Sequence, residues 1–250
     1  LGTTGETPCL DDREKIHLLE ITVEEAGKRI PVIAGAGSNS TKQVVSNIAA
    51  LGKTGIDAFL VVTPYYNKPT QDGLYNHFKT VSESTDKPII MYNVPGRTSV
   101  NMTAETCLKL AEIKNIVATK EASGNYAQIS EIIRNAPEGF TVLSGNDDET
   151  LSLVSTGAKG VISVASNIAP QLMSEFLNKL LNGDIDGSRE LHHRLSPLFK
   201  NCFVESNPIP VKAGMHKMGL LENVLRPPLY TSTEKTLGIM EATLKELNLL

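Results

Sequence analysis

The chain carries few cysteines and no metal-ligand spacing, and these shortages exclude several classes at once. Cys9, Cys107 and Cys202 are three in number and widely separated, which does not make a disulfide framework and reads as small, buried, reduced thiols. Nothing reads as a secretory signal, so the thiols predict a cytoplasmic protein. The five histidines include the adjacent pair His192 and His193, which point apart on a helix, and no Cys/His/Asp spacing resembles a zinc site. No apolar run approaches the roughly 18 residues needed to span a bilayer. No basic cluster is present either. A net charge of −4 argues against nucleic acid or an anionic membrane as main partner. What remains is an ordinary globular composition, 40% hydrophobic and 21% charged over 250 residues, enough for one sizeable core.

Strand and helix patterns alternate along the first part of the chain. Strands are expected at 30–34, 57–63, 88–92, 116–120, 140–143 and 160–164. Helices are expected at 12–29, 40–54, 71–84, 103–112, 127–135, 148–155 and 170–181. Repeated βα units require a parallel sheet, either an eightfold barrel or a doubly wound sheet. The loops after the strands decide for the barrel. GTTGE, AGAGSNS, TPYYNKP, YNVPGRT, KEASGN, SGNDDE and SVASN are polar and glycine-bearing, and a (β/α)8 TIM barrel collects them at one mouth. AGAGSNS lacks the dinucleotide fingerprint spacing, and there is no Walker lysine motif.

Six strands plus a stub at Leu1 fall short of eight. The expectation is that strand 1, helix 1 and most of strand 2 lie in an N-terminal segment not included in this sequence, and that the barrel without them is poorly stable. After residue 183 the strand pattern stops. Residues 184–250 read as a C-terminal helical extension of the 1–183 barrel, with helices at 185–203, 211–220 and 233–250. The last carries a possible capping box at Thr231–Glu234 and a stripe of Leu237, Met240, Leu244 and Leu247.

Lys120 is the position of greatest chemical interest. It ends the apolar run Ile116–Lys120, where alternation sets Ile116, Ala118 and Lys120 on one face, against Val117 and Thr119. A strand-end lysine can simply snorkel to solvent. If it points inward instead, burial lowers its pKa from about 10.4 and makes it a nucleophile. Tyr92 ends the preceding strand, and neighbouring strands lie about 4.8 Å apart, so both tips reach one mouth.

GTTGE at Gly2–Glu6, YNVPGRT at Tyr92–Thr98, KEASGN at Lys120–Asn125 and NPIPVK at Asn207–Lys212 resemble the dihydrodipicolinate synthase family, within the N-acetylneuraminate lyase group of pyruvate-dependent aldolases. The resemblance runs through the whole chain in order. It implies that Lys120 forms an imine with pyruvate, with no other cofactor and no metal, and that the derived enamine attacks L-aspartate 4-semialdehyde. It implies Tyr92 as proton shuttle, linked through Thr3 to Tyr66 arriving from a neighbouring subunit. Thr4 would hold the pyruvate carboxylate, Arg97 the semialdehyde carboxylate, and Gly145 and Ile162 the opposite wall. A homo-oligomer, a dimer of dimers, is implied as well.

Bland readings accompany these assignments: Tyr92 as a core tyrosine, Tyr65 and Tyr66 as loop residues, Arg97 as a surface arginine, Thr3 and Thr4 as turn fillers. Asp147 and Asp148 read as helix N-terminal acids. Related sialic-acid and keto-deoxy-sugar-acid aldolases share the lysine and tyrosine. They usually carry serine where Thr3 stands and lack the Glu-Ala-Ser/Thr-Gly-Asn tail. A non-catalytic paralogue or a truncated product is the reading from another class. Some family members bind L-lysine through a histidine and a glutamate; the matching positions here are Lys15 and Gln43, with Asn39 and Tyr65 kept, so feedback by lysine is expected to be weak or absent.

Overall fold

A computed structural model describes residues 1–250. The chain alternates α1 (Asp12–Ala26), β1 (Ile33–Gly35), α2 (Thr41–Leu51), β2 (Ala58–Val62), α3 (Gln71–Glu83) and β3 (Ile89–Asn93). It continues with α4 (Pro95–Thr98), α5 (Ala104–Ala111), β4 (Ile116–Glu121), α6 (Tyr126–Asn135), β5 (Thr141–Ser144) and α7 (Thr150–Thr156). Four further helices follow: α8 (Pro170–Leu181), α9 (Ile185–Asn201), α10 (Ile209–Lys217) and α11 (Glu234–Glu246).

Side-chain caps explain where most of these helices begin. Asp11 makes a full capping box with Glu14 at α1. Ser40, Thr70, Thr103, Asn125, Asp184 and Thr233 each accept a backbone N–H in the first turn of the helix they precede, worth about 1 kcal/mol apiece. The expected capping box at Thr231–Glu234 is replaced by a different device. Thr233 is the cap, bonding Thr236 N, and its own N–H and hydroxyl go to Glu205, 28 residues upstream. A long-range carboxylate has taken the place of a local one.

The strands form one five-stranded parallel sheet in the order β1-β2-β3-β4-β5. This strictly sequential order is that of a barrel wall; a doubly wound sheet would reverse at a switch point. The expected strand at 160–164 is reduced to a parallel bridge between Val161 and Ser144. Ser144 N–H donates to Gly160 O at 2.8 Å and Ile162 N–H to Ser144 O at 2.9 Å. Beyond Ile162 the chain turns into the 3-10 segment Ala165–Asn167, so the ladder stops. At the other edge the Leu1 backbone lies so close to β1 that a Cβ on Gly35 would overlap the Leu1 carbonyl, and only glycine permits the approach.

One register detail corrects the alternation expected in β4. Ile116 pairs with Ile89 but Ala118 pairs with Ile90, so Val117 is an extra residue. A bulge of this kind resets which face the later residues occupy. Ile116 therefore joins Phe59, Val61, Ile89, Met91 and Val142 in the large core between sheet and helices. Tyr92 pairs with Lys120 and Asn93 with Glu121, and these two pairs point to opposite sides of the wall. A second core joins α8 and the 165–169 turn to α9, α10 and α11 through Phe176, Leu195, Leu198, Val211, Met240 and Leu244. The stripe of α11 is buried as expected at Met240, Leu244 and Leu247, with Leu237 packed at its margin. No helix is long and apolar enough to cross a membrane.

Candidate active site

Lys120 and Tyr92 meet on the inner side of the wall. The lysine is 8% exposed, and its Nζ stands 4.2 Å from the centroid of the Tyr92 ring. The contact is over the ring face, where the quadrupole favours a cation. Burial nevertheless dominates: loss of water pulls the Lys120 pKa down to about 8, the Asp147 carboxylate pushing it up and the Arg97 guanidinium pushing it down. The snorkelling alternative is thereby removed. Burial also raises the Tyr92 phenol above its ordinary value, with Arg97 and the Thr3 hydroxyl drawing it partly back.

Gly145 closes the space beside the amine. A Cβ there would stand 2.7 Å from Ala122 Cβ, 2.9 Å from Glu121 O and 3.1 Å from Lys120 Cε. The glycine is what lets the lysine stem run past the end of β5. Ile162 is held next to it by its N–H bond to Ser144. Arg97, in α4, is exposed at the mouth. Thr3 and Thr4 lie in a turn closed by Gly5 N–H to Gly2 O and Glu6 N–H to Thr3 O, both 3.1 Å. Tyr66 stands apart from all of these: it is 87% exposed, with a left-handed backbone at φ 75°. That conformation is costly for an aromatic residue.

Two carboxylates occupy positions that sequence reading did not assign to the site. Asp147 is not simply a helix N-terminal acid, because α7 begins at Thr150. It is buried, and its Oδ2 accepts the N–H groups of Val164 at 3.0 Å and Ala165 at 2.8 Å. It thus pins the turn after the bridged segment and sits as the negative neighbour of Lys120; burial raises its own pKa. Asp148 is exposed. Glu121, fully buried on the outer side of the wall, accepts Asn93 Nδ2 at 2.9 Å and the Ser123 hydroxyl at 2.7 Å. Burial lifts its pKa to about 7 against those hydrogen bonds. The signal was available in part for Glu121, a polar residue at the very end of an otherwise apolar strand; Asp147, three residues beyond β5, carried none.

Residues 1–247 match the family model described as the dihydrodipicolinate synthetase family. The chain belongs to that family. A curated relative from Thermotoga neapolitana, named 4-hydroxy-tetrahydrodipicolinate synthase, is 49% identical, the match covering all of this chain and 86% of the relative. One of the same name from Phocaeicola vulgatus is 48% identical over all of this chain and 84% of its own. The crystal structure of dihydrodipicolinate synthase from Thermotoga maritima superposes with a TM-score of 0.98 at 48% identity, over all of this chain and 86% of that one. A structure described as the first monomeric dihydrodipicolinate synthase variant also superposes with a TM-score of 0.98, at 47% identity over all of this chain and 84% of that one. The enzyme from Acinetobacter baumannii, solved with pyruvate, matches with a TM-score of 0.97 at 41% identity, covering all of this chain and 86% of that one. The parallel wall is therefore the TIM-barrel wall of this family.

Proposed function

We infer that the chain is a lyase of lysine biosynthesis, a 4-hydroxy-tetrahydrodipicolinate synthase acting on pyruvate and L-aspartate 4-semialdehyde through Lys120. The observation that carries the residue assignment is a single one: an amine buried inside the wall, with its pKa lowered to about 8, against the ring of Tyr92. In neutral form the amine adds to C2 of pyruvate, and loss of water leaves the imine. The protonated imine withdraws electrons from C3, which loses a proton to give the enamine. C3 then bonds to the aldehyde carbon of the second substrate, whose oxygen takes up a proton. The amine of that substrate attacks C2, closes the six-membered ring and releases Lys120.

Each proton transfer falls to a group at the mouth, and Tyr92 is the phenol closest to the amine in register. Thr4 and the N–H groups of the Gly2–Glu6 turn serve the pyruvate carboxylate. Arg97, exposed and next to both Lys120 and Tyr92 in charge terms, serves the carboxylate of the semialdehyde. Gly145 and Ile162 form the far wall. Thr3 links Tyr92 towards Tyr66, and the exposure of Tyr66 in one chain supports its entry into a neighbouring subunit's site. This requires at least a dimer and fits a dimer of dimers. Residues 1–183 act as the barrel and 184–250 as the helical extension docked on it. Three free cysteines suit work in a reducing cytoplasm.

The test is reduction with borohydride in the presence of pyruvate, followed by mass analysis of the peptide containing Lys120. The expected result is a reduced pyruvate adduct on that peptide and none on a Lys120→Met variant. An adduct elsewhere, or none at all, ends the Schiff-base reading.

A further inference from the structure

The motif Asn207–Lys212 has no part in the chemistry above, yet it reaches the site from the far end of the chain. Asn207, 5% exposed, donates through Nδ2 to the Thr4 hydroxyl at 2.9 Å. Lys212, in the first turn of α10, donates to Glu6 Oε1 at 2.6 Å. The other oxygen of Glu6 accepts Arg226 N–H at 2.7 Å. Glu6 is 9% exposed and left-handed at φ 52°, a backbone state that favours glycine and must be held by its surroundings. Its own N–H closes the turn on the Thr3 carbonyl. The orientation of Thr3 and Thr4 is therefore fixed by groups more than 200 residues away in the chain.

The bonds from Lys212 and Arg226 hold the Glu6 carboxylate in its charged form, its pKa lowered although burial alone would raise it. Such a pair still returns only part of what its charges lose on leaving water. Asn207 Oδ1 is buried with no hydrogen-bond partner, which is a further cost. We propose that Asn207 and Lys212 are positioning residues for the keto acid: acting through Thr4 and Glu6, they aim the Gly2–Glu6 turn at the pyruvate carboxylate. This rests on the assignment of Thr4 to that carboxylate.

The experiment compares wild type, Asn207→Ala, Lys212→Met, Lys212→Arg and Thr4→Val, measuring the KM for each substrate, kcat and Tm. Asn207→Ala and Lys212→Met are expected to raise the KM for pyruvate about tenfold, the scale of one misaligned hydrogen bond. The KM for the semialdehyde should stay within about twofold, and Lys212→Arg, which can still pair with Glu6, should return most of the loss. Should Lys212→Met fail to fold, the double variant Glu6→Gln with Lys212→Met removes both charges and is read in the same way. A fall in Tm with the pyruvate KM unchanged, or equal increases in both KM values, overturns the proposal. If Thr4→Val leaves the pyruvate KM unchanged, the carboxylate assignment is wrong and the positioning role falls with it. A raised KM in Thr4→Val with none in Asn207→Ala and Lys212→Met refutes the positioning role alone.

Discussion

Replacing the buried amine should make the protein more stable, and the size of the gain can be worked out. The Lys120 pKa is about 8 in the fold against 10.5 for the free side chain. At pH 7 the folded state therefore carries a charge that the site disfavours by about 2.5 pKa units, or about 3 kcal/mol at 1.36 kcal/mol per unit. The sign follows from proton counting. Between pH 8 and 10.5 the unfolded chain binds more protons at this residue than the fold does, so wild-type stability rises with pH through that window. Methionine fills a similar slot without the charge. Lys120→Met is thus expected to be about 3 kcal/mol more stable than wild type at pH 7, with the gap narrowing to about 1.5 kcal/mol at pH 9.5. Urea unfolding of both proteins at pH 7, 8 and 9.5 measures it, with m-values checked for constancy. A gap that does not change with pH, or a less stable variant, would show that the amine is not desolvated as described.

The same lowered pKa sets the pH profile of imine formation: the rate of borohydride trapping with pyruvate should climb with pH to an inflection near 8, and an inflection above about 10, the ordinary lysine value, would contradict it. Glu121, raised to about 7 from 4.5, binds protons in the fold that the unfolded chain has released, so its contribution to stability is present below 4.5 and lost as pH rises through 7. Glu121→Gln keeps an acceptor for Asn93 but puts a donor where Glu121 accepts the Ser123 hydroxyl, which must then turn to accept; it should flatten the stability profile between pH 4.5 and 7, and an unchanged slope in denaturation experiments counts against the assignment. Gly145→Ala places a methyl against Lys120 Cε and Ala122 Cβ; the expected cost is about 1–3 kcal/mol in stability, together with a fall in kcat, and wild-type kcat would show that the stem has room to move. L-lysine at sub-millimolar concentration should inhibit weakly or not at all, since Lys15 is paired with Asp12 and Gln43 with Asn47; strong inhibition in a steady-state assay would refute this.

Much of the wall was legible because periodicity and punctuation are local. The strand cores at 58–62, 89–93 and 141–144 fall within a residue of expectation, and α8 matches it end to end. What was lost depended on partners distant in sequence. The strand at 160–164 dissolves after one bridge because Asp147, from the preceding loop, captures the amides of Val164 and Ala165. The phase of β4 shifts because β3 pairs with it across a bulge, which no single-strand alternation can reveal. Around the buried amine, the meeting of Lys120 with Tyr92 was recoverable from strand spacing, and the place of Gly145 beside them from the resemblance alone. Asp147, Glu121 and the clasp on Glu6 were not, since each acquires its function only from burial and from a group on another element.

The bulge bears directly on the chemistry. Lys120 and Glu121 are neighbours in sequence, and on an irregular segment the two side chains can turn to one side, where the carboxylate raises the lysine pKa. In β4 alternation sends the ammonium to the inner side with Tyr92 and the carboxylate to the outer side with Asn93. The wall itself separates them. Glu121 accordingly takes its hydrogen bonds from Ser123 and Asn93, and the negative group that acts on Lys120 is Asp147, whose Oδ2 is already held by two backbone N–H groups. An acceptor so occupied, and itself shifted towards the neutral form by burial, is a weak counter-charge. Desolvation can then win, and at pH 7 about a tenth of the amine is neutral, against well under about a thousandth for a free lysine. A one-residue slip of β4, removing the bulge without changing any side chain, would exchange the two faces and turn the amine outward to the helices.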